Sequence, residues 1–167
     1  MKKFFVIAVL AVASLAAYAQ PRAIGARLGG FDGISYQHGF GESNMLEVEL
    51  GWGLCGNINS AIGRAGHTLQ AAVTYDWIDP FGAKVPWNEK GEWHWYLGVG
   101  GAGGYIFNNA GFIGAAGRCG IEYDFWFPLQ LAIDYRPVIG VGLWDGGAGC
   151  YWDVFHAAFG LSIRYKF

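Results

Sequence analysis

The chain ends Phe159-Gly160-Leu161-Ser162-Ile163-Arg164-Tyr165-Lys166-Phe167, and the reading of this run decides the fold. Its odd-numbered residues are all large and apolar, and its even-numbered residues are small or basic. Successive side chains of a strand point to opposite faces, so this period of two describes a strand with one apolar and one polar face. The same parity recurs upstream. Leu129, Leu131, Ile133 and Tyr135 oppose Gln130, Ala132, Asp134 and Arg136, and Cys119, Ile121 and Tyr123 oppose Arg118, Gly120 and Glu122. Further back, Leu46, Val48, Leu50 and Trp52 oppose Glu47, Glu49, Gly51 and Gly53, while Leu69, Ala71, Val73, Tyr75 and Trp77 oppose Thr68, Gln70, Ala72, Thr74 and Asp76. No apolar face carries a formal charge.

Composition agrees with strands. Of 167 residues 28 are Gly, 53% are hydrophobic, 17% aromatic and 14% charged. A Gly costs a helix interior roughly 1 kcal/mol relative to Ala, which excludes a helical protein, and the chain is too apolar for disorder. Residues 1–19 read as a signal peptide: Lys2 and Lys3, the apolar run Phe4 to Ala13, and the small-x-small site Ala17-Tyr18-Ala19. Cleavage after Ala19 leaves residues 20–167 as one domain, about a fifth of it Gly. The mature chain has 9 basic against 13 acidic residues, a net charge of −4, which offers nucleic acid no electrostatic footprint. The spacing Gly98-x-Gly100-x-x-Gly103 matches a dinucleotide loop, but an alternating run follows it where the motif needs a helix, and no cofactor is expected.

With Arg22 to Leu28, Gly33 to Gly39 and Trp93 to Phe107 the alternating runs number eight. That leaves about 18 mature residues for each strand and its connection, which suits membrane-crossing strands joined by short turns and moderate loops. A soluble sandwich or ligand-carrying barrel would turn the apolar faces inward. Two features oppose it. Large aromatics gather near strand ends, Trp77, Trp93, Trp95, Tyr123, Tyr165 and Phe167 at one rim and Trp52, Tyr105, Phe107 and Phe155 at the other, as at two membrane interfaces. The opposite faces are rich in Gly and Ala, which suits the tight lumen of a small barrel. The expected fold is all-β, an eight-stranded antiparallel transmembrane up-and-down barrel, closed because lipid cannot satisfy an open sheet edge.

In these features the chain resembles the small eight-stranded outer-membrane barrels of Gram-negative bacteria, the OmpA-like transmembrane domain and the OmpW or opacity-type porin family. Phe159, Leu161, Ile163, Tyr165 and Phe167 are similar to the C-terminal signal read by the barrel assembly machinery. Ala23-Ile24-Gly25-Ala26-Arg27 with Ser35-Tyr36-Gln37-His38-Gly39, and Gly120-Ile121-Glu122-Tyr123 with the run Pro128 to Pro137, resemble compact barrels of unassigned activity. The resemblance implies the bacterial outer membrane, with lipid and lipopolysaccharide as surroundings and the assembly machinery as a partner during biogenesis. Wall anchoring through an appended peptidoglycan-binding domain is not expected, and the barrel is expected to be a monomer. Both termini then lie in the periplasm. The extracellular loops become Gly29 to Asp32, Leu54 to Gly66, Asn108 to Gly111 and Leu143 to Trp152, and the periplasmic connections Phe40 to Asn44, Asp79 to Glu92 and Asp124 to Phe127.

Arg27, Arg118, Arg136 and Arg164 share the inner face with Glu47, Glu49, Glu122 and Asp134. Buried charges persist when paired, so these eight predict a salt-bridge network across the lumen. Such a network reads as a plug of satisfied charges, with a gated polar path as the alternative. Catalysis is tested by looking for a Ser beside a His with an orienting acid. His38, His67, His94 and His156 are scattered relative to Ser35, Ser43, Ser60 and Ser162, so no catalytic set and no metal site are expected. Cys119 points at lipid. Cys55 and Cys150 fall in two extracellular loops, where a bridge is one reading and free thiols the other, since three Cys leave one over. Trp144, Asp145, Tyr151, Trp152 and Asp153 are the candidate loop contacts. The expected function is that of a structural or surface-interaction barrel. A narrow pore for ions or small solutes is the alternative, and an enzyme acting on lipid A or phospholipid acyl chains a weaker one.

Overall fold

The computed structural model describes residues 22–41, 43–55, 66–79, 90–107, 109–155 and 158–167. They form ten strand segments: β1 (Arg22–Gly29), β2 (Asp32–Gly39), β3 (Asn44–Cys55), β4 (Gly66–Ile78), β5 (Glu92–Ile106), β6 (Ala110–Asp124), β7 (Leu129–Tyr135), β8 (Val138–Trp144), β9 (Gly147–Asp153) and β10 (Phe159–Lys166). Neighbours from β1 to β6 pair antiparallel in chain order, β6 pairs with both β7 and β8, and β10 returns to pair with β1. The ring is therefore closed through β1 and β10, and β9 extends the sheet beyond it, paired with β8 alone among the described strands.

Ten segments make eight barrel strands. Tyr135 lies opposite Cys119 and Val138 opposite Ala116, so β7 and β8 follow β6 in one unbroken register and form the seventh strand. Pro137 has no N–H to give, but its carbonyl accepts from Gly117 N at 3.0 Å. β9 and β10 form the eighth strand, Asp153 lying opposite Val138 and Phe159 opposite Tyr135. Two further bonds tie the seventh strand to the eighth here: Arg136 N donates to Ala158 O at 2.7 Å, and Tyr135 OH donates to Val154 O at 2.9 Å.

This pairing corrects one expected loop. Leu143 to Trp152 is a tight hairpin, with Asp145 and Gly146 as the turn between Trp144 and Gly147, and Gly146 takes the left-handed φ of 91° that closes it. The other connections are shorter than expected: Gly30 and Phe31 join β1 to β2, Asn109 turns at φ 61° before β6, which takes in Ala110 and Gly111, and Leu54, Cys55 and Gly66 belong to β3 and β4 rather than to a loop. The expected loop centred on 56–65, and residues 80–89 of the Asp79 to Glu92 connection, lie outside the described residues.

The faces are inverted relative to a water-facing sheet. Ile24, Ile34, Leu50, Ile113, Ile133 and Ile139 point outward and are exposed, as are Phe159, Leu161, Ile163, Tyr165 and Phe167 along β10. Inside lie Ser35, Gln37, Thr68, Gln70, Thr74, Gln130 and Ser162, together with all of the lumen arginines and acids. Several inward glycines each clear space for one large neighbour. A Cβ on Gly98 would strike the Asp76 carboxylate, one on Gly160 the Arg27 guanidinium, and one on Gly120 would come within 2.5 Å of Tyr96 OH. Gly101 faces outward, and a Cβ there meets nothing closer than Gly114 O at 3.6 Å. Gly98→Val should therefore destabilise the barrel by about 1–3 kcal/mol or more through overpacking, while Gly101→Val stays near neutral. Denaturant titration of the folded protein separates the two.

Candidate functional site

The inner faces of β1, β3, β4, β6, β7 and β10 carry the charged residues, and strand parity aims them all at the barrel axis. Arg27, Arg118, Arg136 and Arg164 are essentially inaccessible to solvent, at 0–2% relative exposure. All eight charges expected in the lumen are there. Asp76 joins them from β4, where the same alternation already placed it on the polar face, and Asp153 from β9.

Two glutamates of β3 hold all four guanidiniums. Glu47 takes Arg118 Nη1 at 2.5 Å and Arg164 Nη2 at 2.6 Å, while Glu49 takes Arg27 Nε at 3.1 Å and also pairs with Arg136. Arg27 Nη2 reaches Asp134 Oδ1 at 2.7 Å, and Arg118 reaches Asp76 at 2.8 Å and Asp134 at 3.3 Å. β3 and the seventh strand stand half-way round the eight from each other, so the Arg136–Glu49 pair crosses the lumen. Neutral groups complete the lattice. Ser35 Oγ donates to Glu47 at 2.7 Å and accepts from Arg164 Nε at 2.7 Å, Gln37 Nε2 donates to Glu47 at 2.8 Å, and Gln130 Oε1 accepts from Arg164 Nη1 at 3.2 Å.

Glu122 departs from expectation. It is buried on the inner face, yet among the described residues no arginine lies within ion-pair distance of it, and its contact is Gln37 Nε2 at 3.5 Å. Asp76, which the expected network did not include, lies beside Arg118 instead.

Aromatic rings close what the ions leave open. Phe31, in the β1–β2 connection, turns inward between Arg27 and Arg136, whose guanidiniums lie 4.8 and 4.6 Å from its ring centre. Tyr96 lies under Arg118 at 4.5 Å, and its OH accepts from Arg118 Nη2 at 3.0 Å. Toward the end of the barrel that carries the β1–β2 turn, Phe112 and Tyr151 stack at 4.0 Å among Ala72, Ala102, Ala116 and Val138. At the opposite end, where Phe167 N donates to Arg22 O, His94 Nδ1 lies 2.8 Å from Asp79 Oδ2 and Lys166 Nζ lies 2.7 Å from Asp124 Oδ2. The β1–β2 turn marks the upper mouth of the barrel, and the Phe167–Arg22 contact marks the lower mouth.

The candidate loop contacts separate. Asp145 is exposed in the turn, within 3.4 Å of Asn109 Nδ2, and Trp152 points outward. Trp144 is half-buried against Ile106 and Ala110. Tyr151 and Asp153 are inward-facing residues of β9 and lie buried in the lumen, so neither is a loop contact. Cys150 is likewise a strand residue, exposed on the outer face with a free thiol, which gives no support to a Cys55–Cys150 bridge; the Cys55 side chain lies outside the described residues. Cys119 is exposed and free on the outer wall. His156 also lies outside the described residues. Among the described residues no group of three or more His, Cys, Asp or Glu is placed to hold a metal ion.

Sequence reasoning missed Phe31, Tyr96, Phe112 and Tyr151 as lumen residues. Parity was a usable signal for Tyr96, two positions from Gly98 on the inner face; Phe31 sits in a turn and has no periodic signal. Comparison with protein-family models, curated proteins and solved structures found no match.

The lattice predicts unequal costs for removing its members. Arg118→Met leaves three carboxylates short of a partner and should cost about 3–5 kcal/mol, as for breaking a buried pair from one side. Lys166→Met frees only the partly exposed Asp124 and should cost less than about 1 kcal/mol. Urea midpoints of the two variants test the ranking.

Proposed function

We propose that this chain is an integral outer-membrane β-barrel, exported by a cleaved signal peptide, whose lumen is plugged and whose work is structural or surface interaction. The observation that carries the reading is the inversion of faces. Four arginines and six carboxylates lie inside a closed barrel, while Ile, Leu, Val and Trp side chains cover its outside, Trp52 and Ile113 being 69% and 67% exposed. An apolar surface this extensive marks contact with membrane or another apolar partner. Aromatic clusters at both ends support lipid. Trp93, Tyr123, Phe125 and Phe127 adjoin one another at the lower mouth, and Tyr105 and Phe107 at the upper.

On this reading both termini are periplasmic and the upper mouth faces outward, where lipopolysaccharide and surface partners would meet exposed Asp145, Trp152, Trp52 and Phe155. The cross-lumen ion pairs and the Phe112–Tyr151 stack argue for a plug over a pore. The protein is expected to fractionate with outer membranes and to show heat-dependent gel mobility; recovery as a soluble protein would sink the membrane reading. In planar bilayers the wild type is expected to give no conductance steps. Steady steps that Arg136→Ala or Glu49→Ala alters would replace the plug with a pore.

A further inference from the structure

The lumen lattice does not balance. Glu47, Glu49, Asp76, Glu122 and Asp134 face Arg27, Arg118, Arg136 and Arg164, while Arg22 and Asp153 have contacts of their own. Four of the five carboxylates lie within ion-pair distance of an arginine. Glu122 is the one left over, although it is 97% buried.

Among the described residues, no strand packed around Glu122 brings it an uncommitted counter-charge. β2 offers the neutral amide of Gln37, and β7 offers Gln130, already held by Arg164. β3 brings Glu47, a second negative group. On β5 the cross-strand neighbour is His94, bonded to Asp79, with the exposed Glu92 opposite Asp124. β6 itself supplies Asp124 on one side, and Arg118 on the other, which is taken by Glu47, Asp76 and Asp134. From β10, Arg164 is committed to Glu47 and Lys166 to Asp124. The nearby cations are thus engaged elsewhere, and Glu122 would add a bare negative charge beside Asp124 and Glu47. A buried carboxylate in that position is neutralised rather than left ionised.

We infer that Glu122 is a proton-binding site of the barrel: near neutral pH the folded chain holds it as the neutral acid, and loss of that proton to water loosens the lower mouth. The geometry of Gln37 fits this state. Its one amide nitrogen donates to Glu47 at 2.8 Å and lies 3.5 Å from Glu122, bridging an ionised and a neutral carboxyl group. Ionisation places two negative groups on either side of that amide and a third at Asp124, and the resulting repulsion draws water toward the lower mouth.

An unfolded glutamate ionises near pH 4.3, about the ordinary value, so above that pH the folded barrel holds one proton more than the unfolded chain. Stability then falls as pH rises, until Glu122 ionises in the folded barrel as well, and levels off beyond. His94, bonded to Asp79, acts in the same sense but higher, above about pH 6.5.

The test is urea unfolding of the detergent-folded protein from about pH 5 to about pH 8, for the wild type, Glu122→Gln, Glu122→Met and His94→Gln. The wild-type unfolding constant should rise by up to about tenfold per pH unit over the acid half of that range. Both neutral Glu122 variants should fold, lose that rise and match or exceed wild-type stability at the alkaline end, while His94→Gln keeps it. Infrared spectra at neutral pH should show a carboxylic-acid carbonyl band that Glu122→Gln removes. A flat wild-type profile, a wild-type slope retained in Glu122→Gln, absence of the band, or failure of both neutral variants to fold would each overturn the proposal.

Discussion

A guanidinium enclosed in a barrel of eight strands has no bulk water to solvate it, and its charge is tolerated only where carboxylates reach it from other strands. Here that burden falls on β3, whose Glu47 and Glu49 between them hold all four lumen arginines. The arrangement needs the Glu-x-Glu spacing, because residues two apart on a strand share a face. It also fixes the register of β3. A slip of one residue would turn both glutamates outward and bring Val48 and Leu50 into the lattice, so the ion pairs and the apolar exterior enforce the same alignment.

The ions could not sit where they do without space cleared for them. Gly160 and Gly98 leave room for the Arg27 guanidinium and the Asp76 carboxylate, and Gly120 does so for the Tyr96 ring. Phe31 lies against the glycines of β3, where a Cβ on Gly51 would come within 2.7 Å of its ring. The high glycine content is thus a packing requirement of a narrow lumen filled with large side chains. It weakens the strands locally, and closure of the ring compensates, since every strand segment but β9 is hydrogen-bonded on both sides.

Period-two alternation made most of the fold readable in advance. It survives wherever both faces carry side chains, as in β3, β4, β7 and β10, and there each charge expected in the lumen is found inside. It fails along Asp145-Gly146-Gly147-Ala148-Gly149, because glycine shows no parity, and so a stretch that pairs with β8 through its backbone reads as a loop. Tyr151 and Asp153 were misplaced for that reason. Phe31 was beyond reach: its inward turn is set by Arg27 and Arg136, which are far apart in sequence and meet only after closure. Asp76 was visible by parity, yet which acid Arg118 takes depends on barrel geometry, and that choice leaves Glu122 without an arginine.

A lumen committed to neutralising its own charges has little room for a transported solute. Each guanidinium is already engaged by protein acids, and a passing ion would have to displace a bonded partner across the barrel axis. The apolar stack of Phe112 and Tyr151 adds a second barrier of a different kind, one that a charged solute cannot exchange with. On the proposed membrane reading the outer wall faces lipid, which asks only for apolar side chains and no particular pattern among them. Chemistry free to recognise a partner is then confined to the two mouths. The upper mouth offers an exposed Asp145 and outward rings, and the lower mouth holds the acid left over from the lattice, so the two ends have different chemistry because the ions between them are spent on each other.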